Sequence, residues 1–273
     1  MYHLLITPKT TRKAQSLLKA IHRAAKAINL PITLGPDYRP CQMLLMYGLG
    51  GPDRMHIGMR HIQSGKTLVT FDLGYWNRKA AINDRPYRVA IDGFHPRNVM
   101  DGPLLTDARW ERSGLDIQAS CITDGPIMLV GNAPKSVAAG AGDWTAKKSQ
   151  EIRRVFPGAK ILYRPKPKRP YESRVLHDAV STGQIDDELQ RVSLVVCRHS
   201  NVAVDACRLG VPVVCDDGAA ACIYPQRLQE YKNQPDINRR TEFLHRLAYW
   251  QWSANEANQF WDWLFTAFPA YRY

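Results

Sequence analysis

Residues 192–218, VSLVVCRHSNVAVDACRLGVPVVCDDG, restrict the fold more than any other stretch of the chain. Leu194–Cys197 is a short apolar run rich in β-branched residues, the composition of a buried strand. A polar turn follows, Arg198-His199-Ser200-Asn201. Val202–Leu209 then reads as a helix of small and apolar residues, and Gly210 stops it. A second apolar run, Val211–Cys215, ends at Asp216-Asp217-Gly218. Strand, turn, helix and strand make one βαβ unit, which requires a parallel sheet covered by helices. Its hydrogen-bonding groups crowd where the first strand enters the helix. Open parallel sheets bind nucleotides and phosphates at such places, because the first helical N–H groups are unpaired and the helix dipole is positive there.

The rest of the chain extends this pattern. His3–Thr7 reads as a strand, and a helix rich in Ala, Leu and Lys follows, with Thr10 or Thr11 as its cap and Ile28 as its end. Met43–Tyr47, Lys66–Phe71 and Tyr87–Ile91 read as strands and Met55–Gln63 as a helix. A second series begins near Cys121, with strands at Ile127–Val130 and Lys160–Tyr163 and helices at Trp144–Phe156 and Ile185–Arg191. The aromatic-rich tail Asn238–Phe268 reads as helical. Alternation of this kind predicts an α/β chain with two parallel-sheet halves and a junction between residues 100 and 120. The expected domains are 1–115, 116–250 and a terminal helical segment 251–273. The cleft between such halves is the default place for a ligand.

Of 273 residues, 45% are hydrophobic, enough for packed cores. No apolar stretch approaches the roughly 18 residues of a membrane span. The apolar start, Met1–Pro8, is too short for a secretory signal, so a cytoplasmic protein is expected. The six cysteines, at 41, 121, 197, 207, 215 and 222, form no CxxC pair, so buried reduced thiols are expected and no metal site. The 37 basic and 25 acidic residues leave a net charge of +12, which favours an anionic partner. The charge is concentrated in 10–23 and 164–174.

Several residues carry chemistry in this reading. Ser200 and Asn201, with Arg198 and His199 beside them, stand at the start of helix 202–209, where they either cap it or hold a diphosphate. Asp205, near the start of that helix, complements its dipole or accepts from ribose hydroxyls. Arg164, Lys166 and Lys168 are separated by prolines that hold the chain extended, so all three point the same way. They make either a solvated basic loop or a phosphate site. Gly131 and Asn132 open a small-residue loop that lets backbone approach a ligand. Asp72, at the end of a strand, is a turn former or a general base. Tyr75 follows it, and Asp92 and His95 occupy the equivalent place after the next strand. No GxGxxG, P-loop, GxSxG or HExxH motif occurs, which weakens hydride-transfer, NTPase, esterase and metalloprotease readings.

Ser200, Asn201, Asp205, Ala206, Gly210, Pro212 and Val213, preceded by the Pro-rich basic loop, resemble the Ser-Asn-x-x-x-Glu-Ala-x-x-x-Gly-x-Pro-Val pattern of GT-B glycosyltransferases. The resemblance is to the capsule Kdo-transferase group and to phage-encoded GT-B enzymes, with Asp in place of the usual Glu. It implies two Rossmann-like domains facing across a cleft and a last helix crossing back to the N-terminal one. It implies a nucleotide-sugar donor, a UDP-sugar by expectation, held by Arg164, Lys166, Arg198, His199, Ser200, Asn201, Asp205, Gly131 and Asn132, with neither a bound metal nor a tightly held cofactor. Asp72 becomes the expected base, and Tyr75, Asp92 and His95 the acceptor contacts. The basic charge directs the expectation to a hydroxylated base in phage DNA as acceptor. Surface polysaccharide synthesis, and a non-catalytic nucleic-acid binder on the same fold, are the alternatives.

Overall fold

The computed structural model describes residues 1–102, 105–120, 124–132, 142–166 and 174–272. Lys168, Cys121 and the small-residue loop beyond Asn132 as far as residue 141 lie outside the described residues. Contacts divide the chain into two units, Met1–Ser113 with His245–Tyr273, and Gly114–Leu244. The chain thus joins the first unit again at His245, where the sequence suggested residue 251.

The first unit runs β1 (Tyr2–Leu5), α1 (Arg12–Ala27), β2 (Ile32–Gly35), β3 (Met43–Tyr47), α2 (Pro52–Gln63), β4 (Thr67–Leu73), β5 (Tyr87–Ile91) and α3 (Ala108–Glu111). The second runs β6 (Ile127–Val130), α4 (Trp144–Val155), β7 (Ile161–Arg164), β8 (Ala179–Val180), α5 (Ile185–Leu189), β9 (Leu194–Cys197), α6 (Val202–Leu209), β10 (Val213–Cys215) and most of α7 (Ile237–Ala248). β11 (Gln251–Trp252) and α8 (Ala257–Ala267) complete the first unit.

The second sheet has the order β10-β9-β6-β7-β8 and every pairing in it is parallel. Its strands β6, β9 and β10 are apolar and buried along their whole length, as burial on both faces demands. Ile127, Leu129, Ile161, Leu194, Val196 and Val214 form its core with Ile152 of α4.

The first sheet, β11-β5-β4-β3-β1-β2, departs from the all-parallel expectation. β5 runs antiparallel to β4, and β11 antiparallel to β5. The segment between β4 and β5 forms no helix, so it makes no parallel crossover. The tail is likewise not one helix. It breaks between Ala248 and Ala257, where β11 joins the sheet and Ser253 and Glu256 form a capping box. The aromatic tail packs on its own unit. Trp261 stands edge-on to Tyr2 at 5.8 Å and donates its indole N–H to the Ile21 carbonyl of α1. Phe260 meets Phe71 of β4 at 5.5 Å.

Helix α2 starts earlier than its apolar pattern suggests, because Pro52 occupies the first-turn position where its missing N–H costs nothing. Cys41, Cys197, Cys207 and Cys215 are buried free thiols. Burial pushes Cys207 up to about 12.

A candidate donor site at the strand-order reversal

In the second sheet the chain moves outward from β6 to β7 and β8, then returns to the other side of β6 to lay down β9 and β10. Strand order therefore reverses between β6 and β9. At such a point two crossovers leave in opposite directions and open a crevice beyond the carboxyl ends of the strands.

Four segments end there. Gly131 and Asn132 follow β6, Lys166 follows β7, Arg198–Asn201 follow β9, and Asp216–Gly218 follow β10. The Lys166 ammonium donates to Ser200 Oγ at 3.0 Å, bringing the loop after β7 to the loop after β9. Ser200 Oγ also accepts from the Val202 amide at 3.3 Å, in the first turn of α6. Asn201 occupies the N-cap position in helical backbone and its side chain makes no capping bond. The seryl oxygen, not the asparagine, therefore serves the helix start. Asp205 lies in the first turn of α6, and Arg198, His199, Ser200, Asn201 and Asp205 are all half-buried.

Backbone and packing fix the surrounding loops. The Asp216 amide donates to the Cys197 carbonyl at 3.2 Å, and the Asp217 amide to the Arg198 carbonyl at 2.6 Å. A Cβ on Gly218 would stand 3.1 Å from His199 Cα, so glycine lets the two loops meet. A Cβ on Gly131 would stand 2.7 Å from the Tyr163 hydroxyl. Asn132 is buried and donates to Thr145 Oγ1 in α4 at 3.3 Å. Asp216, which the sequence reading passed over, accepts from the Trp144 indole at 2.6 Å and lies 3.7 Å from the Lys148 ammonium. Burial raises its pKa against these partners. Its position in Asp-Asp-Gly at a strand end was the available signal.

Arg164 departs from the expectation. Its guanidinium donates to Ser181 Oγ at 2.6 Å and to Glu188 Oε2 at 2.7 Å, and it does not share Lys166's partner. Glu188 on α5 is mostly buried and captures the cation at the β8 edge, so alternation along the loop does not decide where these side chains go.

The first unit separates the expected acceptor residues. Asp72 faces Arg88 across the antiparallel pair, with Oδ2 at 3.2 Å from the guanidinium, and its Oδ1 accepts from the Leu73 amide. Tyr75 is buried beside them, its amide donating to Gln251 Oε1 at 2.9 Å. Asp92 is at the other end of the strand pair. Because β5 runs antiparallel, the residues after it return to the start of β4, where Asp92 Oδ1 accepts from the Leu68 amide at 2.7 Å. Burial raises the Asp92 carboxyl, and its left-handed backbone (φ 50°) makes it a turn residue. His95 follows the same turn and is buried.

A hollow of about 270 Å³ lies within the first unit, lined by Trp76, Asn77, Asp84, Arg112 and Asn255 together with the partly buried pair Arg109–Glu256. Arg109 is held at 2.9 Å from Glu256 and lies 3.8 Å over the Trp252 ring. Among the described residues, no group of three or more His, Cys, Asp or Glu is placed to hold a metal ion, and no helix is long and apolar enough to cross a membrane.

No protein-family model matches the chain, and no curated protein does. Solved structures do. The chain is similar to a β-Kdo 2,7 transferase, KpsC of Thermosulfurimonas dismutans, at 13% identity and a TM-score of 0.57, over 94% of this chain and 97% of that one. It is also similar to a β-Kdo 2,4 transferase of the same organism's KpsC, at 13% identity and a TM-score of 0.48, over 92% and 91% of the two chains. With Rossmann-like sheets in each unit and agreement along nearly all of both chains, the chain shares the fold of the first of these transferases, the GT-B fold.

Proposed function

We propose that the chain transfers a glycosyl group from a nucleotide-sugar to a hydroxyl acceptor. The observation that carries this reading is the meeting of Lys166 with Ser200 at the amino end of α6, where the strand order reverses. The anomeric carbon–oxygen bond breaks and its electron pair leaves on the diphosphate. The Lys166 ammonium and the first amides of α6 offset that charge. The acceptor oxygen forms the new bond and its proton passes to a carboxylate, assigned to Asp72. Asp205 is the candidate for ribose hydroxyls. Trp76, close in sequence to Asp72, lines the hollow of the first unit, which we assign as the acceptor's place.

The net charge of +12 supports a polyanionic acceptor, and we assign it as a hydroxylated base in DNA of the phage type. The likeness in fold to a transferase named for Kdo supports a second acceptor class, a surface polysaccharide.

A thermal-shift panel of UDP-, GDP-, CMP- and dTDP-sugars tests the donor, with UDP-sugars expected to bind. Lys166→Ala and Ser200→Ala should each weaken the successful donor by about tenfold, in line with loss of a charge-assisted contact. Donor affinity unchanged in both variants rules the site out. Asp72→Asn should keep the donor shift and lower turnover about 10²-fold or more. Mass spectrometry of modified-base DNA and of oligosaccharides incubated with that donor identifies the acceptor class, and transfer should persist in EDTA.

A further inference from the structure

Helix α1 presents a row of cations along one side. Arg12, Lys19, Arg23 and Lys26 are exposed and fall within about 60° of one another at the helical angle of about 100° per residue. Lys13 is exposed too, about 80° round the helix from the row. From Arg12 to Lys26 the row extends about 21 Å at the helical rise of about 1.5 Å. The helix contains no acidic residue. None of these five cations has a carboxylate partner among the described residues. The elements packed on α1 bring two acids, exposed Asp262 and Glu256, which is already paired with Arg109.

Several other cations of the molecule do have such partners. On α4, Lys147 pairs with Asp143, Lys148 with Glu151, and Arg153 with Asp178. On α1 the like charges Lys19 and Arg23 sit one turn apart, an arrangement that opposes helix formation. The apolar side of α1 is fully used, with Leu17, Leu18, Ile21 and Ala25 buried. No exposed large hydrophobic residue lies along the row.

We infer that this face of α1 binds the phosphate backbone of duplex DNA, positioning it without reading its sequence. A row one side chain wide matches a line of charges, as on a nucleic-acid strand. A bilayer surface would reward a two-dimensional patch and an apolar residue to insert. A single-stranded chain would call for exposed rings on which bases stack, and the row has none. Phosphate contacts of this kind set orientation and carry no sequence information. The inference rests on the DNA-acceptor reading of the proposed function and names the surface that would serve it.

Fluorescence anisotropy of a labelled 30-base-pair duplex, titrated at several salt concentrations, tests it. Each lost phosphate contact lowers the slope of log affinity against log salt by about 0.9. The variant R12Q/K19Q/R23Q/K26Q should lower that slope by about 3 to 4 and weaken binding at 0.1 M salt by at least 100-fold. K19Q/R23Q, a milder change, should lower it by about 2. Both should melt like the parent and keep the parent's thermal shift with the nucleotide-sugar. If the parent binds duplex and both variants keep its slope, this surface is wrong while the DNA-acceptor reading stands. If the parent fails to bind duplex, both ideas fall. If it binds vesicles containing phosphatidylserine, or an acidic polysaccharide, more tightly than duplex and through the same four residues, the partner assigned here is overturned.

Discussion

Gly131 shows how a single residue shapes the donor site. It follows β6 directly, and the Tyr163 ring from β7 fills the space a side chain would need. Gly131→Ala should destabilise the second unit by about 1–3 kcal/mol, the cost of overpacking a close-fitted position. Tyr163→Phe removes the 2.7 Å contact but leaves ring carbons at 3.3 Å, so the double variant should recover part of the loss in a denaturant melt. A double variant no more stable than Gly131→Ala alone would show that the hydroxyl is not the obstacle. Lys166 and Arg164 give the complementary lesson. Their sequence context is nearly the same, yet one reaches Ser200 and the other Glu188. Local alternation orients a backbone, but a charged side chain goes to the partner its length can reach. That partner, on α5, is distant in sequence and was not legible.

At the scale of elements, the tail is the clearest case. The tail Asn238–Phe268 reads as helical, but Ser253-x-x-Glu256 is a capping box that starts a new helix within it. That signal was present in the sequence. What it could not reveal is that Glu256 serves twice, bonding Ser253 and pairing with Arg109, which lies over the Trp252 ring. Burial works against the Glu256 anion, but Arg109 and the Ser253 donors outweigh it and hold its carboxyl below the ordinary range. A depressed carboxyl stabilises the fold fully above its unfolded value near 4.5, and that contribution is lost as pH falls through the folded value. Glu256→Gln should cost about 3 kcal/mol at pH 7, because Arg109 is then buried without a counter-charge. The loss should shrink as the pH is taken well below 4.5, where the parent carboxyl is itself protonated. A loss independent of pH would assign the effect to shape alone.

At the scale of the whole molecule, pH and charge act together. His3 and His61 are buried in the first unit, and burial lowers both below the ordinary value of 6.5. Their neutral forms stabilise the fold above pH 6.5, and this support is lost as pH falls through their lower folded values. Asp92 and Asp216, both raised by burial above their ordinary value of 3.8, act with the opposite sign, because the folded state binds those protons first as pH falls towards 3.8. Falling pH also adds to a net charge already at +12, increasing self-repulsion. The melting temperature should therefore decline from about pH 6.5 downward, before most carboxylates titrate. His61→Gln should flatten part of that decline. An unchanged profile in this variant would remove His61 from the account.

Sequence alone determined the βαβ unit, because its information is local. Apolar runs, a polar turn and a glycine that closes a helix fix strand, turn and helix with no distant partner, and the observed β9 and α6 keep the expected limits. The same locality placed Ser200 at the helix start and gave the resemblance that fits the fold. Tertiary structure decided pairing direction and side-chain destination. Whether β5 lies parallel or antiparallel depends on how the chain returns to the sheet, and that choice carried Asp92 away from Asp72 to the opposite end of the strand pair. Which cation meets Ser200 depends on where Glu188 stands. Both are long-range outcomes, set by packing and by charges that find one another only after the backbone has folded.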